Sequence, residues 1–289
     1  MDREPRAPGG GGPTDRRTKA RVGPATLEGF ARAPDFNAWI YGKFRDAIHG
    51  DVMEVGSGIG NLSRLVLVDA RRVVLSDAEP TYLDTLRRRW GADPRVEIVR
   101  WNLNEPPPSV LTADGPRFDA IVAVNVIEHL SDDHGVVRVL ATLLRPGGCL
   151  LVYVPACPWA FGSLDVALGH RRRYTAATLE TLLRESGLVP TPPRYMNRLG
   201  LLAWVTSGRI LKMTALPSDA IALFNRVVGV ARIVDWLLAP LPLGLGLVAR
   251  ARKPETPQSA EPENLAAPRA SLRTVTLISC LPRTTFLVG

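Results

Sequence analysis

Asp51-Val-Met-Glu-Val-Gly-Ser-Gly-Ile-Gly-Asn61 is the stretch that sets the fold of this chain. Val52, Met53 and Val55 suit a buried strand, Gly56, Gly58 and Gly60 suit a tight turn, and residues 62–68 read as a helix. Strand, glycine turn and helix in that order open a nucleotide-binding α/β unit. Glycine is needed where the backbone bends sharply and a ligand comes closer than a Cβ would allow. The spacing narrows the ligand. A dinucleotide fingerprint reads G-x-G-x-x-G and seats a pyrophosphate on the helix N-terminus. Here the third glycine comes one residue early, Asn61 follows it, and Glu54 stands two places before the first glycine. A carboxylate there repels a pyrophosphate and suits a cation.

Working outward, residues 72–77 form a second apolar run that ends in an acid, Asp77. A carboxylate accepts two hydrogen bonds and a ribose diol donates two, so Asp77 is the candidate partner for a ribose, with Glu79 the alternative. A helix is expected over 81–90 and a third strand over 96–101, and Pro106-Pro107-Pro108 then forces a loop. Residues 118–124 are the fourth strand, running into Asn125-Val-Ile-Glu-His129-Leu. The turn Arg145-Pro-Gly-Gly148 leads to a fifth strand over 149–155. Repeated strand–helix alternation argues a parallel, doubly wound α/β sheet. Such sheets bind ligands at the carboxyl ends of their strands, where Asn125 and His129 fall.

Upstream, residues 26–49 read as helical, with Phe30, Phe36, Trp39, Ile40 and Phe44 as the apolar positions. Downstream comes Leu164-Asp-Val-Ala-Leu-Gly-His170-Arg-Arg-Arg-Tyr174-Thr, then a helix over 176–186 that stops at Gly187. A Pro-broken strand over 188–195, apolar helices over about 199–213 and 220–238, and a strand over 244–252 follow. That last strand is expected to form a hairpin with 188–195. The apolar helices carry Arg209, Lys212, Arg226, Arg232, Asp235 and Pro240, so none offers a clean span of about 20 apolar residues and no transmembrane segment is expected. A peripheral membrane contact stays open.

The chain has 289 residues and 46% hydrophobic content, enough for one α/β domain with appendages. Lys+Arg 36 against Asp+Glu 28 leaves +8, nearly all of the excess arginine, which fits a GC-rich genome as well as a basic partner surface. Cys149, Cys157 and Cys280 form neither a metal-ligand spacing nor an even disulfide set, and no metal is expected. Residues 1–25 lack the apolar core of a secretory signal, so the expected compartment is cytoplasmic. Residues 1–24 and 254–289 read as disordered tails around a 25–253 domain. Residues 274–280 are strand-like with no evident partner.

Glu54-Val-Gly-Ser-Gly-Ile-Gly60 resembles the first motif of the class I S-adenosylmethionine (SAM) methyltransferases. FDAIVAVNVIEHL (118–130) and LLRPGGCLLVYVP (143–155) are similar to the ubiquinone-biosynthesis-like, type 11–12 group that acts on small molecules. LGHRRRYT (168–175) resembles a subset of bacterial small-molecule methyltransferases, some encoded beside glycosyltransferases. The resemblance spans roughly residues 50–253. It implies a Rossmann-like, mostly parallel seven-stranded sheet with an antiparallel last strand and an inserted helical cap over 199–238. It implies SAM as cofactor, held by Glu54, Gly56, Ser57, Gly58, Gly60, Asn61, Asp77, Asn102, Leu103 and Asn125. Asn102 stands where the family usually has Asp, and its amide oxygen can still accept from the adenine amine. The helix before the first strand either closes over the cofactor or packs on the sheet edge. Arg173 and Tyr174 are implied on the substrate side.

The implied activity is methyl transfer to a small-molecule acceptor, apolar or lipid-like among the options, at oxygen, with sugar, isoprenoid or secondary-metabolite chemistry as the setting. Transfer to nitrogen or carbon, and a SAM-fold protein that binds without turnover, are the alternatives. His129 and His170 are the candidate bases, because imidazole titrates near neutral pH. His129, expected at a helix N-terminus, should stay neutral. Relatives that methylate nucleic-acid amines carry N/D-P-P-Y/F after the fourth strand. This chain has Asn125-Val-Ile-Glu there, so no nucleic-acid partner is expected.

Overall fold

The computed structural model describes residues 27–255, so the expectations for 1–24, 256–289 and the 274–280 strand fall outside it. β1 (Asp51–Val55) lies inside a sheet ordered β3-β2-β1-β4-β5-β8-β6, with β7 also on β8. β2 is Arg72–Asp77, β3 Val96–Arg100, β4 Phe118–Val124, β5 Leu144–Pro155, β6 Val189–Pro190, β7 Arg194–Met196 and β8 Gly246–Arg252. β1 to β5 pair in parallel, whereas β8 runs antiparallel to β5, β6 and β7. Chain order reverses between β1 and β4, which opens a crevice at their carboxyl ends.

β1 is apolar on both faces because both faces are covered. Met53, Ile121 and Leu150 enter one core, with Leu140 and Leu183. Val52, Ala120 and Leu151 enter the other, with Phe44 and Val66. The Pro-broken strand expected over 188–195 is two short ladders on β8. Pro192 and Pro193 lack the N–H groups that would join them. Among the described residues eight strands therefore fill seven lanes, and the last lane completed, β8, is an interior one.

Two helical expectations are corrected. Residues 26–49 are not one helix: a short helical turn over 27–31 breaks before α1 (Pro34–Tyr41), and a 3-10 turn spans Arg45–Ala47. Pro34 takes the first position of α1, where its missing N–H costs nothing, and it disfavours helix in the residue before it. The remaining helices beside the sheet are α2 (Ser63–Asp69), α3 (Pro80–Trp90), α4 (Ser109–Thr112), α5 (Asp133–Leu143), α6 (Ser163–Leu168) and α7 (Ala176–Glu185). The insertion holds three helices rather than two: α8 (Arg198–Val205), which runs on as a π turn over Thr206–Ile210, then α9 (Ser218–Arg226) and α10 (Val228–Leu237). Asn197 and Arg198 fasten α8 to α10, their backbone N–H groups donating to Asp235 at 2.6 and 3.0 Å. Asn225 fastens α9 to α1, accepting from the Asp35 N–H and donating to the Asp35 carboxylate, both at 2.9 Å.

Candidate active site

A cavity of about 500 Å³ opens at the reversal point, and both ends of the expected site line it. The three glycines of the turn adopt left-handed backbone, φ +64° at Gly56, +54° at Gly58 and +85° at Gly60. Their surroundings differ. A Cβ on Gly56 would stand 2.5 Å from Val126, and one on Gly58 3.2 Å from Leu27, a residue that also lines the cavity. A Cβ on Gly60 would strike Trp90 of α3 at 2.4 Å. Gly60 is not among the cavity-lining residues, and it packs closely against Trp90 of α3.

Glu54 is buried below the turn and accepts from the Ser63 hydroxyl. Burial pushes its carboxyl up to about 8 against the Ser63 hydrogen bond, and the nearby Asp77 charge adds to the rise. Ser57 donates to the Glu54 carbonyl at 3.1 Å, which fixes the turn from within. Asp77 accepts from the Gly58 N–H at 2.8 Å and the Glu79 N–H at 2.9 Å, one on each oxygen. Burial raises its carboxyl in spite of those donors. Each oxygen keeps a second lone pair for a ligand. Glu79, the alternative acid, instead caps α3 through the Thr81 N–H and does not line the cavity.

Asn61 lines the cavity but spends its amide N–H on the Leu27 carbonyl, 2.8 Å away. That bond draws the 27–31 turn over the glycines. Asn102 and Leu103 line the wall, and the Asn102 oxygen already accepts from the Asn104 N–H at 3.1 Å. Asn125 lines it too, in left-handed backbone at φ 53°, with its N–H on the Tyr153 carbonyl at 2.8 Å.

The opposite end is built from residues about 40 positions apart. His129 ends a 3-10 turn (Ile127–His129), and the helix begins only at Asp133. The expected helix-terminus effect on His129 is therefore absent. The ring is held neutral by burial and by the neighbouring His170, which together lower it to about 4. His170 Nδ1 lies 2.8 Å from Asp165, and the two imidazole centroids are 4.9 Å apart. Asp165 also accepts from Arg173 at 2.8 Å, Gly162 N–H at 2.9 Å and the Trp204 indole at 3.1 Å. Burial opposes its ionisation, but the His170 hydrogen bond and Arg173 outweigh it and hold the carboxyl low.

The arginine cluster is not a free basic face. Arg171 donates to the His129 carbonyl, Arg172 pairs with Asp133 at 2.5 Å, and Arg173 is buried beneath Trp204 at 4.9 Å. Arg173 lines the cavity as expected, but Tyr174 does not: its hydroxyl donates to Asp133 at 2.7 Å, a structural tie between the loop and α5. The sequence reading missed Glu128. It is fully buried, neither carboxylate oxygen has a partner among the described residues, and burial pushes it up to about 8 against Arg173. Its position beside His129 in the E-H-L motif was the available signal.

Residues 53–150 match the family described as a methyltransferase domain. The chain is 34% identical over 141 residues to a probable S-adenosylmethionine-dependent methyltransferase of Mycobacterium tuberculosis, covering 48% of each chain. It is 30% identical over 155 residues to a tRNA U34 carboxymethyltransferase of Syntrophotalea carbinolica, covering 52% of this chain and 44% of that one. The chain thus spans about half the length of the curated relatives it matches. The crystal structure of the N-methyltransferase NodS from Bradyrhizobium japonicum, in complex with S-adenosyl-L-homocysteine (SAH), shares the fold. Its TM-score is 0.53 at 15% identity, over 84% of this chain and 97% of that one. Residues 53–150, which hold the glycine turn and end within β5, are similar to the methyltransferase domain family, and the sheet order agrees with that likeness.

Proposed function

We propose that this protein transfers the methyl group of SAM to an oxygen of a small-molecule acceptor. The observation that carries the reading is one cavity with two chemically different ends. Glu54, the glycine turn and Asp77 form the donor end, and His129, His170 and Arg173 form the acceptor end. Its volume, about 500 Å³, suits a cofactor and a compact acceptor together. Methyl transfer is an in-line displacement in which the acceptor oxygen–carbon bond forms as the sulfonium–carbon bond breaks. SAH leaves and the acceptor loses its proton. The donor is already activated, so the chain's main tasks are alignment and exclusion of water. The acceptor oxygen still needs activation, and we assign that role to the end of the cavity lined by His129 and His170.

Two features support a small, apolar acceptor over a nucleic acid. The acceptor end is walled by buried Trp204 and Arg173 rather than by an open basic groove. The insertion also turns Leu202, Ile233 and Trp236 to the surface, a setting suited to a lipid-like molecule. The test supplies SAM labelled in its methyl group together with fractionated small molecules, lipids and RNA. Label should enter a small-molecule or lipid fraction, and SAM and SAH should bind by calorimetry whereas NAD should not. Label in RNA would overturn the acceptor assignment. SAM binding with no turnover on any fraction would favour a ligand-binding protein.

A further inference from the structure

We propose that Glu128, His129 and His170 bind a divalent transition-metal ion at the acceptor end of the cavity. The argument begins with the protons of the two imidazoles. His170 Nδ1 faces an Asp165 oxygen at 2.8 Å, and that carboxylate is already engaged by Arg173, Trp204 and Gly162 as donors. A carboxylate held this way accepts, so Nδ1 of His170 donates, and in the neutral imidazole that leaves a lone pair on Nε2. His129 Nδ1 faces the Gly169 carbonyl at 3.3 Å, and a carbonyl also accepts only. Both Nε2 lone pairs are therefore free.

Both lone pairs face the same carboxylate. Glu128 Oε1 is 4.0 Å from His129 Nε2 and 3.9 Å from His170 Nε2. Those distances are too long for hydrogen bonds. Ligand atoms bonded to one tetrahedral zinc ion at about 2.1 Å stand about 3.4 Å apart, so each imidazole would draw roughly half an ångström nearer to Glu128. Among the described residues these three form a group whose ligand atoms all lie within 4.8 Å of one another.

An independent observation points to a cation in the same place. Glu128 is 0% exposed and neither of its oxygens has a hydrogen-bond partner. A buried carboxylate without partners is costly, and a bound cation offsets that cost. The outer shell has the form that metal-ligating histidines use: a carboxylate, Asp165, receives the far N–H of His170 and is itself held by Arg173 and Trp204. Two imidazoles and one carboxylate select zinc, cobalt, iron or manganese over magnesium or calcium. Three protein ligands leave a coordination position open, and both histidines line the cavity. An ion there would polarise an acceptor hydroxyl. That last role rests on the proposed function, whereas the site itself does not.

The experiment uses the full chain, stripped by chelator and then titrated with Co²⁺ and Zn²⁺, with Mg²⁺ for comparison. Cobalt should give visible d–d absorption that saturates at one ion per chain, zinc should displace it, and magnesium should not. Glu128→Gln and His170→Gln, checked for fold by circular dichroism, should each weaken cobalt binding by about 100-fold or more, at or beyond the upper end of second-shell losses. Absence of stoichiometric binding to the wild-type chain overturns the inference. So does binding that folded Glu128→Gln and His170→Gln leave unchanged, which would mark adventitious sites. SAH calorimetry on the same samples separates the two proposals. Retained SAH binding without metal binding removes only the metal, and metal binding without SAH binding removes only the methyltransferase reading.

Discussion

Asp77 has two duties in one carboxylate, since both oxygens clamp backbone N–H groups of the turn while still facing the cavity. Asp77→Ala should weaken SAM binding by about 1–3 kcal/mol by calorimetry. Asp77→Asn should cost less, because one acceptor survives. Glu79→Ala should leave SAM affinity near wild type and lower thermal stability through the lost cap. Glu54 makes a separate prediction from its raised carboxyl. Its folded pKa of about 8 lies above the ordinary 4.5, so the folded chain binds the proton more tightly than the unfolded one. The stability contributed by Glu54 is therefore complete below about pH 4.5 and is lost as pH rises through about 8. Denaturant melts of Glu54→Gln should match wild type near pH 5 and exceed it at pH 8.5 and above. A cationic ligand favours the carboxylate, so SAM binding at pH 7 should release close to one proton, read from calorimetry in buffers of different ionisation heat. Glu54→Gln should release none. At this scale the donor half was legible, because glycines and an acid at a strand end have few other uses. The burial of Glu128 was not legible, because one acid before a histidine reads like any solvated helix start. Its burial comes from the 165–173 loop and α5, which no local pattern encodes.

Among the elements, β2 and β4 lie where the sequence placed them to the residue, since each is an apolar run with sharp polar ends. The break between α9 and α10 at Val227 was invisible, with neither Gly nor Pro at that position to mark it. The insertion also packs on the elements that lie over the glycine turn. α9 grips α1 through Asn225 and through Phe224 against Phe36, at 5.7 Å between ring centroids. Ile221 of α9 fills the space beside Gly29, under the turn that lies over the glycines. Replacing 199–238 by a short loop should therefore impair SAM binding as well as turnover. Point changes should separate the two duties. Asn225→Ala should raise the SAM Kd about 5-fold, the scale of about 1 kcal/mol for lost hydrogen bonds. Trp204→Phe keeps the ring and drops the indole bond to Asp165, so it should lower kcat while sparing SAM affinity.

For the whole molecule, charge and apolar surface converge on the insertion. Trp236 is 77% exposed and Leu202 67%, and Arg209, Lys212, Arg226 and Arg232 lie on the same segment. No described helix is long and apolar enough to cross a membrane. The chain should float with vesicles rich in anionic lipid, float less with neutral ones, and lose the difference at high salt. Trp236→Ser should reduce flotation without changing SAM affinity. The parallel order of the sheet was readable from strand–helix alternation, and the expected pairing of the Pro-broken 188–195 lane with the last strand is found as well, across 50 or more residues of chain. The position of β8 also bears on synthesis. Among the described residues it is the last strand made, yet it fills the gap between β5 and the β6–β7 lane. Until residue 252 has left the ribosome, the long β5 keeps an unpaired edge, and such edges recruit strands from other chains. A nascent chain halted before residue 246 presents an open β5 edge to chaperones and to its neighbours on the same polysome.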